Sequence, residues 1–290
     1  MRNYTIEELR DYVQWDVDTW SHALRYWDNI LANKYASISS DCCAQMAKTN
    51  IRVIGEPNEV TKAELNVKAN MESNSQSSEK ANVESNSQSS EKAFANSHIN
   101  LNKTAIEIGA RDGGLSLWLA QKGIYVTCSD LHGPTKQARI LHERYGVANN
   151  VEYRAIDVSN IDAPDASYDI VLFKSVVGNL GQLGLIDKAM KEIFRVLKPD
   201  GLLLFAENMQ GSRLHGILRR RFVPWGKSWY YVNLQELNNL LTSFSQSEIR
   251  TYGFLSCMRK DFAAFVALDK LICKKPMSPA HYMAFGHARK

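Results

Sequence analysis

Cysteine is scarce and unpatterned in this chain of 290 residues. There are five, Cys42, Cys43, Cys128, Cys257 and Cys273, with irregular spacing and no C-x-x-C. That argues against a disulfide framework or a thiolate zinc site. No apolar run approaches the ~18–20 residues a membrane-spanning helix needs. The first residues, MRNYTIEELRDYVQWD, lack the apolar core of a signal peptide, so a cytoplasmic chain is expected. A net charge of +4 is too small to argue for nucleic acid by itself. The phosphate-cradling G-x-x-x-x-G-K-[S/T] motif is missing as well.

One stretch lacks almost everything a core requires. Residues 69–92 are two copies of a 12-residue unit, ANMESNSQSSEK and ANVESNSQSSEK, differing only at Met71 and Val83. The 24 residues include eight Ser, four Asn and four Glu, with no aromatic. Such a segment buries too little apolar surface to offset its ordering entropy. It predicts a linker over 56–100 that carries the repeat. A helical element over 1–55 precedes it, and one domain over 101–290 follows.

What is present is ordinary globular material, 44% hydrophobic and 23% charged. Over 5–35, Leu9, Tyr12, Val13, Trp20, Ala23, Leu24, Trp27 and Leu31 recur mostly at three- and four-residue steps, which predicts helix. Such an aromatic helix either docks on a core or serves as a lid. Beyond residue 100, short apolar runs alternate with amphipathic stretches. Strands are expected at Thr104–Ile108, Tyr125–Ser129, Val151–Ile156, Tyr168–Phe173 and Leu202–Ala206, with helices at Leu115–Gln121, Pro134–Tyr145 and Leu183–Leu197 between them. Further helices are expected at Leu234–Phe244 and Phe262–Leu271, and strands near Ile249–Leu255 and Tyr282–His287. Nearly continuous apolar strands alternating with helices imply an α/β fold, a Rossmann-like, mostly parallel sheet with helices on both faces.

Ligands of such sheets bind beyond the carboxyl ends of the strands, where strand order reverses. Those ends carry Gly109, Asp130, Asp157, Lys174 and Glu207. The first loop, Glu107-Ile108-Gly109-Ala110-Arg111-Asp112-Gly113-Gly114, follows a strand and opens a helix, and its glycines let backbone approach a ligand. Its spacing does not fit the dinucleotide G-x-G-x-x-G. Asp130 closes the second strand, where a carboxylate accepts from two ribose hydroxyls.

The ordered set EIGARDGG, VTCSD, AIDVSNI, YDIVLFKS and LKPDGLLLF resembles the class I S-adenosylmethionine-dependent methyltransferases over about residues 101–210. The resemblance implies a seven-stranded sheet and S-adenosylmethionine as cofactor. Glu107, Gly109 and Gly113 match the family's acidic, glycine-rich loop, and Ala110 and Arg111 lie within it. Arg111 stands where the family usually has glycine, so backbone must accept a Cβ there. Asp130 matches the ribose-binding acid, Leu131 the adenine contact, and Asp157 and Val158 the loop at the adenine edge.

Methyl transfer to a hydroxyl benefits from a general base. Candidates are His215, Glu207 and Lys174; the plain alternatives are a structural ion pair for Lys174 and a cap or surface acid for Glu207. A cation at Lys174 disfavours a metal, and none is expected. The segment SRLHGILRRRFVPWGKSWYYV over 212–232 interleaves arginines with aromatics. Arg213, Trp225, Trp229 and Tyr230 are the expected acceptor contacts, because arginine pairs with anionic groups and aromatic faces stack on sugars or bases. Packing of those aromatics on the core is the bland alternative. A looser resemblance, through WDVDTWSHALRYW and FVPWG, is to methyltransferases of surface-polysaccharide biosynthesis. It implies a sugar, nucleotide-sugar or glycan acceptor. An RNA acceptor is the alternative, with no recognised RNA-binding module to support it.

Overall fold

A computed structural model describes residues 21–35, 102–222, 229–255, 263–273 and 277–290. The expected helix over 5–20, the repeat at 69–92 and Trp225 lie outside the described residues. The chain divides into two compact units, one of residues 1–30 with 98–290 and one of 31–97. The second is described only at 31–35, where it is helical.

The first unit is built on a seven-stranded sheet in the order β3-β2-β1-β4-β5-β7-β6. The strands are β1 (Thr104–Ile108), β2 (Tyr125–Asp130), β3 (Val151–Ala155), β4 (Tyr168–Lys174), β5 (Leu197–Asn208), β6 (Gln246–Tyr252) and β7 (Met283–Arg289). β1 to β5 pair in parallel. β7 runs antiparallel between β5 and β6. The α-helices described in this unit are α1 over residues 21–30, α2 (Gly114–Ala120), α3 (Lys136–Arg144), α4 (Leu183–Val196), α5 (Arg213–Phe222), α6 (Leu234–Leu240) and α7 (Ala263–Ile272). The expected mostly parallel, Rossmann-like sheet is therefore present.

The central strands are mostly apolar because helices cover both faces. Ile106, Val171, Leu203 and Phe205 are buried, and Phe173 stacks on Phe205 at 6.2 Å. Pro199-Asp200-Gly201 lie inside β5, where its register with β4 shifts. Asp200 takes a left-handed φ of 66°, and a Cβ on Gly201 would meet the Lys198 carbonyl at 2.8 Å. The α6 start is a capping box, Asn233 and Glu236 each accepting the other's backbone N–H.

Of the two expectations for the aromatic N-terminal helix, residues 21–30 follow docking. His22 stacks on Tyr252 at 4.2 Å, and Trp27 Nε1 donates to the Gly286 carbonyl at 3.0 Å. Asp28 accepts from Trp118 Nε1 at 3.2 Å and pairs with Lys122 at 2.6 Å. Among the described residues no helix is long and apolar enough to cross a membrane.

Candidate active site

Strand order reverses between β1 and β4, so a crevice is expected beyond the carboxyl ends of these strands. The turn leaving β1 is shaped by backbone. Gly109 and Gly113 have φ of 70° and 73°, and a Cβ on Gly109 would meet Val176 Cγ2 at 2.8 Å. Between them Arg111 occupies the left-handed region at φ 46°. A non-glycine residue there stores strain of about 1 kcal/mol or more. The strain is held from both sides: Arg111 N–H donates to Asp130 Oδ2 at 3.0 Å, and its carbonyl accepts from Thr135 N at 2.9 Å. Ala110 is buried and its N–H donates to the Ser129 carbonyl at 2.8 Å.

Asp130 closes β2. Its Oδ1 accepts from the Leu131 N–H at 2.8 Å, complementing the Arg111 bond on Oδ2. A carboxylate has about four acceptor positions, so two remain for ligand hydroxyls. Leu131 beside it is 56% exposed, an apolar surface offered to a flat ring. Positive-φ glycines, a carboxylate with acceptor capacity to spare and an exposed leucine fit S-adenosylmethionine. Asp157 lies further along, its Oδ1 accepting from Ser159 N at 2.8 Å. Val158 is buried in the core cluster.

Glu107 does not point into open space. It is buried, and its Oε2 accepts from both the Ser116 N–H at 2.6 Å and the Ser116 hydroxyl at 2.5 Å, locking β1 to the first turn of α2. Glu207 at the end of β5 is equally buried. It accepts from Val177 N and Asn208 N, each at 2.9 Å, and so holds the turn after β4. Burial pushes each carboxyl up to about 7, against the pull of these hydrogen bonds and of the Lys174 ammonium, which acts on both. Lys174 thus stands at the end of β4, between two buried acids on the neighbouring strands β1 and β5.

His215, on α5, is 1% exposed. Its Nδ1 accepts from the Ser212 N–H at 3.0 Å, and its Nε2 donates to the Phe254 carbonyl at 2.6 Å. These obligate partners select the Nε2–H tautomer, and burial lowers its pKa. Arg213 is exposed on the same helix. Residues 229–232 run beside the ends of β4 and β5: Tyr230 N donates to the Gly178 carbonyl at 2.9 Å, and Met209 bridges Val232. Tyr230 donates its hydroxyl to Glu236 at 2.9 Å, so its pKa is raised, first by burial and then by that acid. Trp229 lies on Gly178, where a Cβ would stand 1.8 Å from the indole Nε1. That Nε1 is buried and has no hydrogen-bond partner.

Sequence reasoning passed over His142 and Tyr153. His142 is fully buried on α3, its Nε2 donating to the Gly113 carbonyl at 2.9 Å and its Nδ1 accepting from the Tyr153 hydroxyl at 2.8 Å. The signal available was its place on the buried stripe Ala138, Leu141, His142, Tyr145 of an otherwise polar helix. Among the described residues no cluster of three or more His, Cys, Asp or Glu side chains is arranged to hold a metal.

Comparison with known proteins points to methyltransferases. Residues 106–205 match the family model described as a methyltransferase domain. A ubiquinone/menaquinone biosynthesis C-methyltransferase of Rickettsia bellii is 28% identical over 115 residues, 37% of this chain and 45% of that protein. The chain thus spans about half the length of the curated relatives it matches. Among solved structures, a Haemonchus contortus phosphoethanolamine N-methyltransferase 2 is 18% identical over 66% of this chain and 49% of its own, with a TM-score of 0.48. The 1,6-didemethyltoxoflavin-N1-methyltransferase of Burkholderia thailandensis is 18% identical over 68% and 75%, with a TM-score of 0.44. Residues 106–205, about a third of the chain, are thus a methyltransferase domain.

Proposed function

We propose that this protein moves a methyl group from S-adenosylmethionine to an oxygen of a small acceptor, and that a sugar hydroxyl, free, in a nucleotide sugar or in a glycan, is the acceptor class. The observation that carries the oxygen acceptor is the Trp229 indole N–H, buried beside the ends of β4 and β5 without a partner. An unmatched buried donor costs about 1–3 kcal/mol. An acceptor oxygen relieves that cost, and the indole face stacks on a sugar ring.

The bound cofactor supplies an already activated methyl group on a sulfonium. The protein's task is then alignment and exclusion of water. Asp130 receives the ribose hydroxyls on its remaining lone pairs, and the Gly109–Gly113 backbone cradles the methionine end. Trp229 orients the acceptor oxygen. We assign Glu207 and His215 to positioning: both are buried, Glu207 holding the Val177 and Asn208 N–H groups and His215 engaged at both ring nitrogens. Lys174, between Glu107 and Glu207, sets the charge of the crevice floor. We read residues 56–100 as a linker outside this chemistry.

An RNA acceptor would draw on the arginine–aromatic segment. Arg219 is instead committed to the Met209 and Gln210 carbonyls, at 2.7 and 3.0 Å, and stacks over Tyr231 at 4.1 Å.

Incubation with methyl-labelled cofactor and a panel of nucleotide sugars, glycans and short RNAs, read by mass spectrometry, tests the acceptor. Labelling of a sugar oxygen is expected. Labelling confined to nitrogen, carbon or RNA would overturn the acceptor. Asp130→Ala should remove cofactor binding from a protein that stays folded; unchanged affinity by calorimetry would sink the cofactor pose.

A further inference from the structure

We propose that α5 is a membrane-surface helix, docking the protein on an anionic lipid bilayer. The inference concerns where the protein works, and stands apart from the identity of the acceptor.

The helix reads RLHGILRRRF and contains no acid. At 100° per residue its two sides separate cleanly. One side holds His215, buried against the Phe254 carbonyl, and Arg219, which donates to the Met209 and Gln210 carbonyls. These contacts fix the rotation of the helix. The opposite side, an arc of about 120°, carries Arg220, Arg213, Ile217, Arg221 and Leu214, all exposed. Leu214 is 46% exposed and Ile217 57% exposed.

Two aliphatic side chains on the outer face of a fixed helix are held in water at a cost. Arg220 and Arg213 lie on one side of Ile217, and Leu214 closes the other edge of the arc. An exposed face with Arg213 and Arg220 suits an anionic partner, and the aliphatic side chains decide which kind. Nucleic acid offers phosphates but little for leucine and isoleucine, and aromatic side chains, which stack on bases, are absent from this arc. A bilayer rich in anionic lipid offers both: headgroup phosphates for the arginines and the acyl boundary for Leu214 and Ile217. Arginine stems also tolerate that boundary, their charge staying at the headgroups.

A second helix meets the same turn. α7 also attaches to the turn at residues 253–255, its buried Asp269 accepting from Phe254 N at 3.0 Å and Leu255 N at 2.7 Å. His215 of α5 binds the same Phe254. α7 leaves Ala264, Ala267 and Leu268 exposed, the last at 43%.

The test is co-sedimentation of the full chain with vesicles of equal parts phosphatidylglycerol and phosphatidylcholine, against pure phosphatidylcholine. Binding is expected to the anionic vesicles only, and to weaken as salt rises. Arg220→Glu changes the local charge by two and should weaken binding roughly 20- to 30-fold, at about fivefold per charge. Leu214→Ser with Ile217→Ser keeps every charge and should still weaken it roughly tenfold or more. Calorimetric binding of S-adenosylmethionine, unchanged in both variants, confirms that they are folded. No sedimentation of the wild type, or full binding by the Leu214→Ser/Ile217→Ser variant, would overturn the proposal. So would a tighter complex with single-stranded RNA at the same salt.

Discussion

The Nε2–H of His142 donates to the carbonyl oxygen of Gly113 at 2.9 Å, and its ring occupies the place a side chain at Gly113 would need. The cofactor turn is therefore braced from behind by a residue of α3, which is steadied in turn by the Tyr153 hydroxyl. Arg139 lies over the Tyr153 ring at 4.0 Å and closes the brace.

Gly113→Ala meets two penalties, a φ of 73° and a Cβ 2.8 Å from His142 Cε1. We expect a loss of about 1–3 kcal/mol of stability together with weaker cofactor binding. His142→Ala leaves the Gly113 carbonyl with the Leu117 N–H alone and takes the acceptor from the Tyr153 hydroxyl, and should lower stability by a similar amount. Urea unfolding and calorimetry measure both. Full cofactor affinity in His142→Ala would separate the brace from the site.

His215 is expected to act through α5. His215→Ala should lower the melting temperature, because the Phe254 carbonyl loses its donor, and turnover should fall without either limb of the pH–kcat profile disappearing. An unchanged melting temperature with a lost limb would instead make His215 the general base.

Stability should depend on pH through the two buried acids. Each carboxyl rises from 4.5 to about 7 in the folded chain, so the folded state binds its proton more tightly than the unfolded state. The contribution is fully present below the unfolded value of 4.5 and is lost as pH rises to about 7, then stays level. Glu207→Gln should flatten part of that slope. Urea midpoints across this window are the measurement, and a slope equal to wild type would contradict it.

Trp229→Phe keeps the flat ring and removes the unpartnered N–H. Because that donor is unsatisfied in the free protein, its removal should not cost stability. It should raise KM for the acceptor and leave cofactor affinity alone. An unchanged KM would take Trp229 out of the acceptor contacts.

Legibility followed the range of the interactions. β1, β2 and β4 lie within a residue of their expected bounds because continuous apolar runs ending in Gly109, Asp130 and Lys174 state both burial and termination locally. β5 began earlier than expected, because pairing with β4 carries the LKPDG segment into the sheet despite its turn chemistry. The positions of Asp130 and of the Gly109–Gly113 turn were likewise legible, since strand ends mark the binding edge of a parallel sheet.

What the side chains do there was decided elsewhere in the chain. Glu207 and His215 read as chemical groups because their residue types suit a base. Only the fold brings Val177 and Phe254 to them, 30 and 39 residues away, and commits them to backbone. Local periodicity and turn chemistry determined by themselves the α/β class, the ends of β1, β2 and β4 and the glycine turn after β1, because those depend on neighbours within a few residues. Tertiary structure alone decided which buried polar groups are satisfied and which, like the Trp229 N–H, still lack a partner, because that accounting depends on atoms remote in sequence meeting at hydrogen-bond distance.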